Sequence, residues 1–239
     1  SNAAVVISAT AGSNATIAAP YIGFSSRSGT AASSGAATGS GKVTFKAGAS
    51  GMDFIGGILF DASIAATTLY SQSDVRLIGV DDRADTTQKP VLNGALTSAG
   101  DLTFDAARVY TTTGTGNLQR YLESEAGKTD SALPSPYVLS ALGNGTITFL
   151  GDHINATAPL SAGSYLRIQA KTVVQDGFLA VPLGRIEFGT ASNPVETITF
   201  GTGSITSVSG AGLNVPYGTT TDLTEYFFTP GTSSPITAL

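Results

Sequence analysis

The chain contains no cysteine and no tryptophan, one methionine and one histidine, His153. Without cysteine it has neither a disulfide framework nor a thiolate metal site. With one histidine, a zinc site would have to be completed by carboxylates, and any Ser-His-Asp triad would rest on that residue alone. It lies in Gly151-Asp152-His153-Ile154-Asn155, which reads as a surface turn. Charge is scarce as well: Asp, Glu, Lys and Arg make up 12% of residues, against roughly 25% in an ordinary globular domain. The net charge of −5 argues against nucleic acid or anionic membrane as a partner. No apolar run reaches the length of a membrane-spanning helix, and no cleavable leader is recognisable. No Gly-rich loop ends in Gly-Lys-Ser/Thr, so nucleotide binding finds no support.

What the chain does have is glycine (29 residues), threonine (32 residues) and short apolar runs. Ser1-Asn2-Ala3 reads as the remnant of an expression tag, which leaves 4–239 as a single module. The most informative stretch is Pro159–Phe188. Tyr165–Ile168 and Arg185–Phe188 alternate apolar and polar residues, as strands with one buried face do. Asp176-Gly177 and Pro182-Leu183-Gly184 supply turns between runs. Leu166 and Ile186 are twenty residues apart, and a repeat of that length with several short strands predicts coils of a parallel β-solenoid. At 20–25 residues per coil, the length predicts about eight to ten coils.

The same style runs through the rest. Ala4–Ser8 and Ala15–Phe24 read as strands, with Pro20 at a corner. Ser25–Gly41 is almost all Ser, Gly, Ala and Thr and reads as a mobile excursion. Lys42–Ala47, Asp53–Phe60 (bent at Gly56-Gly57), Thr67–Tyr70, Val75–Val80, Gly94–Ser98, Leu102–Phe104 and Ala107–Tyr110 read as further strands. Asn117–Glu125 is the one place where helical spacing competes. Thr146–Phe149, Tyr165–Ile168, Arg185–Phe188 and Thr197–Phe200 echo one another. The last two are too close for one full coil, which predicts either different faces or a hairpin at Thr190–Pro194. Tyr226-Phe227-Phe228 is the last apolar run.

Several segments carry a resemblance: Leu102–Thr112 (LTFDAARVYTT), Pro159–Gly163 (PLSAG), Ala180–Ile186 (AVPLGRI) and Gly203–Ser209 (GSITSVS), then the turn Pro216-Tyr217-Gly218. In this order they resemble phrases in the later repeats of filamentous-haemagglutinin-type large exoproteins. The likeness spans about Ala95 to Phe228; the first ninety residues agree in style only. The resemblance implies an all-β, right-handed parallel β-helix with loop excursions. It also implies export through an outer-membrane two-partner secretion transporter and a role as a secreted or cell-surface bacterial adhesin. A host glycan or matrix protein is the expected contact. The family's amino-terminal secretion domain, with its Asn-Pro-x-Gly signatures, is absent, so the expectation is an internal module that need not hold the adhesive site.

Candidate chemistry is thin. Asp81-Asp82-Arg83-Ala84-Asp85 has three carboxylates but neither EF-hand nor calcium β-roll spacing, and reads as a polar turn. Asp101 with Asp105, or Glu123 with Glu125, would be the acid pairs of a polysaccharide-active enzyme, yet they look like solvated positions. No acidic or basic residue repeats down successive coils. Hence no catalytic, cofactor-binding or metal residue is assigned, and a non-enzyme is expected. A β-helix lyase or glycosidase is the alternative, and an antiparallel β-sandwich carbohydrate-binding module a third reading. Asn14, Asn144 and Asn155 begin Asn-x-Thr sequences, as chance allows in a Thr-rich chain. Ser25–Gly41 and Lys128–Ser135 are the expected contact loops.

Overall fold

The computed structural model describes residues 4–10, 12–81, 92–116, 135–151 and 157–213, with the strand residues 227–228 and 236–237. His153, Asp82–Asp85, Asn117–Glu125, Asn155 and most of the second expected contact loop lie outside the described residues. Among those described there are 21 strands and no helix.

The first strands are β1 (Val5–Ile7), β2 (Asn14–Ala19), β3 (Ile22–Ser25), β4 (Gly41–Ala47), β5 (Met52–Ile55), β6 (Gly57–Phe60) and the long β7 (Ile64–Ile78). After β8 (Val80–Asp81) and β9 (Leu92–Asn93) come β10 (Ala95–Ser98), β11 (Asp101–Thr111), β12 (Tyr137–Ala141) and β13 (Thr146–Leu150). Then follow β14 (Tyr165–Gln169), β15 (Thr172–Asp176), β16 (Phe178–Ala180), β17 (Arg185–Phe188), β18 (Thr197–Phe200) and β19 (Ile205–Ser207). β20 (Phe227–Phe228) and β21 (Ile236–Thr237) form a small antiparallel pair, as do β8 and β9.

A six-stranded sheet runs β1-β6-β10-β12-β14-β17, and an eleven-stranded sheet runs β18-β15-β13-β11-β7-β4-β2 with β3, β5, β16 and β19 attached beside that path. From β10 to β15 the chain visits the two sheets in turn, and every pairing within them is parallel. The expectation of an all-β, mostly parallel architecture holds, and the connectivity is consistent with a β-solenoid. Seven strands stand in the long path, fewer than the coil count the length predicts. The connections from β7 to β11 and from β11 to β13 are longer than a 20–25-residue repeat allows.

The core lies between the sheets, and the strand sequences dictate it. In β4 (GKVTFKA) Val43, Phe45 and Ala47 are buried while Lys42 and Lys46 are exposed, the period of two expected of a one-faced strand. Parallel register then carries each inward position onto the next strand. One column reads Val43, Thr67, Leu102, Ile147, Val173. Its neighbour reads Phe45, Leu69, Phe104, Phe149, Gln175. In the six-stranded sheet Ile58, Leu96, Leu139 and Ile168 do the same, all fully buried. Each such Leu, Ile or Phe is worth roughly 1.5–3 kcal/mol of burial before ordering costs.

Two sequence expectations change. Leu166 and Ile186 are indeed cross-strand partners, but Ile147 does not belong to their row: it faces Val173, in the other sheet. Ile186 and Ile198 sit in different sheets, so the short spacing between them is a change of face.

The second change concerns Ser25–Gly41. It is no loose excursion but a flap laid across the outer side of β6. Gly57 N donates to Ser28 O at 2.6 Å, Ala37 N to Ala99 O at 2.7 Å, and Thr38 N and Gly39 N to Ala62 O at 2.9 and 2.8 Å. Ser26 and Ser28 are buried, and their hydroxyls bond to the flap's own backbone. Polar self-satisfaction replaces apolar anchoring, which composition alone does not reveal. Leu59, outside the core cluster, is nevertheless only 2% exposed.

Candidate functional site

Where the flap passes over the six-stranded sheet it leaves an open groove of about 300 Å³. Gly29–Ala32 of the flap form one wall; Asn93, Ala95, Thr97 and Val138 form the floor, and Ser135 and Pro136 close one end. Both loops singled out from the sequence therefore meet here, since Ser135 is the last residue of the second. Outward residues of β10 and β12 supply the floor because their neighbours Leu96, Tyr137 and Leu139 turn inward. The described lining has hydroxyls, a carboxamide, backbone groups and small apolar side chains, and no ionisable group. Such a surface suits an uncharged, extended partner held by hydrogen bonds.

A second groove, about 180 Å³, sits at the corner joining the sheets below β12 and is more polar. Ser140, Gln169, Asn144, Lys171 and Glu196 line it. Lys171 Nζ donates to Asn144 Oδ1 at 3.1 Å and lies 3.8 Å from Glu196 Oε2.

Ionisable groups on the outer faces are mostly paired. Asp53 accepts from Arg76 Nε and from the Tyr21 hydroxyl. Asp74, nearly buried, receives a two-pronged bond from Arg108, Nε to Oδ1 at 2.7 Å and Nη2 to Oδ2 at 2.8 Å. Arg108 also donates to Thr157 O at 3.0 Å. Glu187 accepts from Arg167 Nε at 2.7 Å and from the Tyr165 hydroxyl, while the Arg167 and Arg185 guanidinium groups lie 5.7 and 5.6 Å from the Tyr165 ring centre. Burial pushes the Glu187 carboxyl upward, but those hydrogen bonds and the charges of Arg167 and Arg185 outweigh it and hold it below the ordinary glutamate value. It stays ionised, the opposite of what a general acid needs.

Of the sequence candidates, Asp101 and Asp105 share β11, and Asp101 Oδ1 accepts the Thr146 backbone N–H at 2.9 Å, a structural bond between neighbouring strands. Asn14 is exposed at the start of β2, and Asn144 is held by Lys171. Among the described residues no three His, Cys, Asp or Glu gather as a metal site would require. Among the described residues no helix is long and apolar enough to cross a membrane. Sequence reasoning missed the Arg–carboxylate pairs: their members come from strands far apart in the chain, and only parallel register brings them together. Comparison with protein families, with curated proteins and with solved structures found no match.

Proposed function

We propose that this chain is a structural and adhesive module, a right-handed parallel β-helix from a secreted or surface-held bacterial exoprotein of the filamentous haemagglutinin type. In this reading the stacked strands are a stiff spacer, and the flap groove is the surface it presents to a host glycan or matrix protein. The six steps of about 4.8 Å between its seven path strands make a stack roughly 30 Å long. Export would run through an outer-membrane two-partner transporter that recognises a part of the exoprotein other than this one. The observation that carries the reading is the parallel ladder itself. Its inward positions stack in columns from strand to strand, and its outer faces carry hydroxyls and mutually paired charges.

The test is binding of the whole chain to glycan and matrix-protein arrays, beside an Ala31→Trp variant that fills the groove. Binding by the wild type that Ala31→Trp weakens at least tenfold is the expected result. An array on which neither protein binds anything removes the adhesive role, and turnover of an acidic polysaccharide by the wild type replaces it with catalysis.

A further inference from the structure

A chain without cysteine cannot staple its strands with disulfides, but the corner at the second groove gathers the groups for another kind of cross-link. Parallel register stacks Thr146, Thr172 and Thr197 at the starts of β13, β15 and β18. Asn144, Lys171 and Glu196 lie just before these three positions and all line the groove. A carboxamide, an amine and a carboxylate from three neighbouring strands therefore meet. The backbone holds them in place, since Glu196 N and Thr197 N both donate to Lys171 O, at 3.0 and 3.2 Å. Lys171 Nζ donates to Asn144 Oδ1 at 3.1 Å and lies 3.8 Å from Glu196 Oε2.

Asn144 is exposed and is followed by Gly145, and the turn favours that glycine. A Cβ there would lie 3.0 Å from Leu142 O and 3.1 Å from Gly100 O. Asparagine before glycine is the pair most prone to lose ammonia, because no side chain shields the next backbone nitrogen from the carboxamide carbon. Gly145 N donates to Leu142 O at 3.0 Å, so the reaction waits for this turn to open and is slow.

We propose that Asn144 and Lys171 join spontaneously through an amide bond. First, Gly145 N attacks Asn144 Cγ; the new C–N bond closes a five-membered imide, and the carboxamide nitrogen leaves as ammonia. Then Lys171 Nζ attacks the same Cγ and the bond to Gly145 N breaks. That nitrogen takes up a proton and resumes its place in the main chain, while Glu196 accepts the proton that Nζ gives up. Nothing is oxidised or reduced: one amide forms and one ammonia is released. Water competes for the imide, but Nζ already hydrogen-bonds the oxygen of the carbonyl it attacks, an advantage of position that free water lacks. The bond ties the turn before β13 to the start of β15 across 27 residues of chain, as a disulfide would. This inference rests on strand register and not on the adhesive reading; array binding and cross-linking are read separately.

Mass spectrometry of the whole chain, held for weeks in mildly alkaline buffer, tests this beside Lys171→Arg and Glu196→Gln. The wild type loses the mass of one ammonia. Its tryptic digest contains Ile168–Arg185, uncut at Lys171 and joined to Thr129–Arg167. The Lys171→Arg chain opens its imide with water, ends as aspartate or isoaspartate, and gives no joined peptide. Glu196→Gln forms the joined peptide several-fold more slowly. A wild type of unchanged mass, a wild type that gains only aspartate, or a Lys171→Arg chain that keeps the loss of ammonia overturns the proposal. A Glu196→Gln chain that reacts as fast as the wild type overturns the proton's route through Glu196.

Discussion

The ring of Phe104 lies flat over that of Phe149, with centroids 5.2 Å apart and planes 8° from parallel. The two residues are direct partners in the β11–β13 ladder, and both are fully buried. The contact is therefore a product of register: a slip of one residue in β13 would turn Phe149 to solvent.

Phe149→Ala removes this contact and leaves a cavity between Phe104 and Gln175. The expected loss is about 3–5 kcal/mol, whereas Phe149→Leu, which keeps most of the volume, costs less than about half of that. Urea unfolding followed by circular dichroism measures both. A loss under about 1 kcal/mol for the alanine variant would mean that the columns are not what holds the sheets together.

Thr67 interrupts the column that begins at Val43 and Gln175 the one that begins at Phe45, and opposite responses are expected from them. Thr67, 1% exposed between Val43 and Leu102, has a buried hydroxyl with no hydrogen-bond partner among the described residues. Thr67→Val exchanges that hydroxyl for a methyl of similar size and should stabilise the protein by about 1 kcal/mol. Gln175 is equally buried, but its Nε2 donates to Ile205 O at 2.8 Å and Thr206 Oγ1 at 3.0 Å, and its Oε1 accepts from Gly177 N at 3.2 Å. Gln175→Leu strands those groups and should cost about 1–3 kcal/mol although it adds apolar surface. Denaturant melts of the two variants decide the matter by sign alone.

The Glu187 cluster predicts an acid-sensitive contribution. Its carboxyl sits below the ordinary value of 4.5 because Tyr165, Arg167 and Arg185 together overcome its partial burial. A depressed folded-state pKa gives stability that is present above the unfolded value and lost as pH falls through the folded one. Glu187→Gln should therefore be less stable than the wild type at pH 7, and the gap should narrow below about pH 4.5. Unfolding free energies measured from pH 7 down to pH 3 check this; a gap that stays constant would remove the electrostatic account.

Much of this architecture was legible in the sequence because strand patterning is local. Val43, Phe45, Leu166 and Ile168 declare their inward faces by alternation, and the twenty-residue step from Leu166 to Ile186 is a true ladder pairing. What could not be read is which sheet a run enters. TITF at Thr146–Phe149 and YLRI at Tyr165–Ile168 look alike, yet they lie in different sheets, because the turns between them and not the strands decide the face. The groove was legible in part: both contact loops reach it, but nothing in a Ser/Gly/Ala run signals that its serines would satisfy one another and fold it back onto β6.

That fold-back depends on one close approach. A Cβ built on Gly57 would lie 1.9 Å from Thr30 O, a distance no side chain tolerates. Gly57→Ala must therefore lift the flap where Gly57 N meets Ser28 O, while the inward columns of β6, carried by Ile58 and Phe60, keep their places. Arg27 lies beside this contact, so brief trypsin digestion followed by mass spectrometry reads the change directly. Cleavage after Arg27 should rise by an order of magnitude in the variant, with only a modest fall in melting temperature, because local opening is a different event from global unfolding. Equal cleavage of the two proteins would show that the flap is already open in the wild type, and the groove beneath it would lose one of its walls.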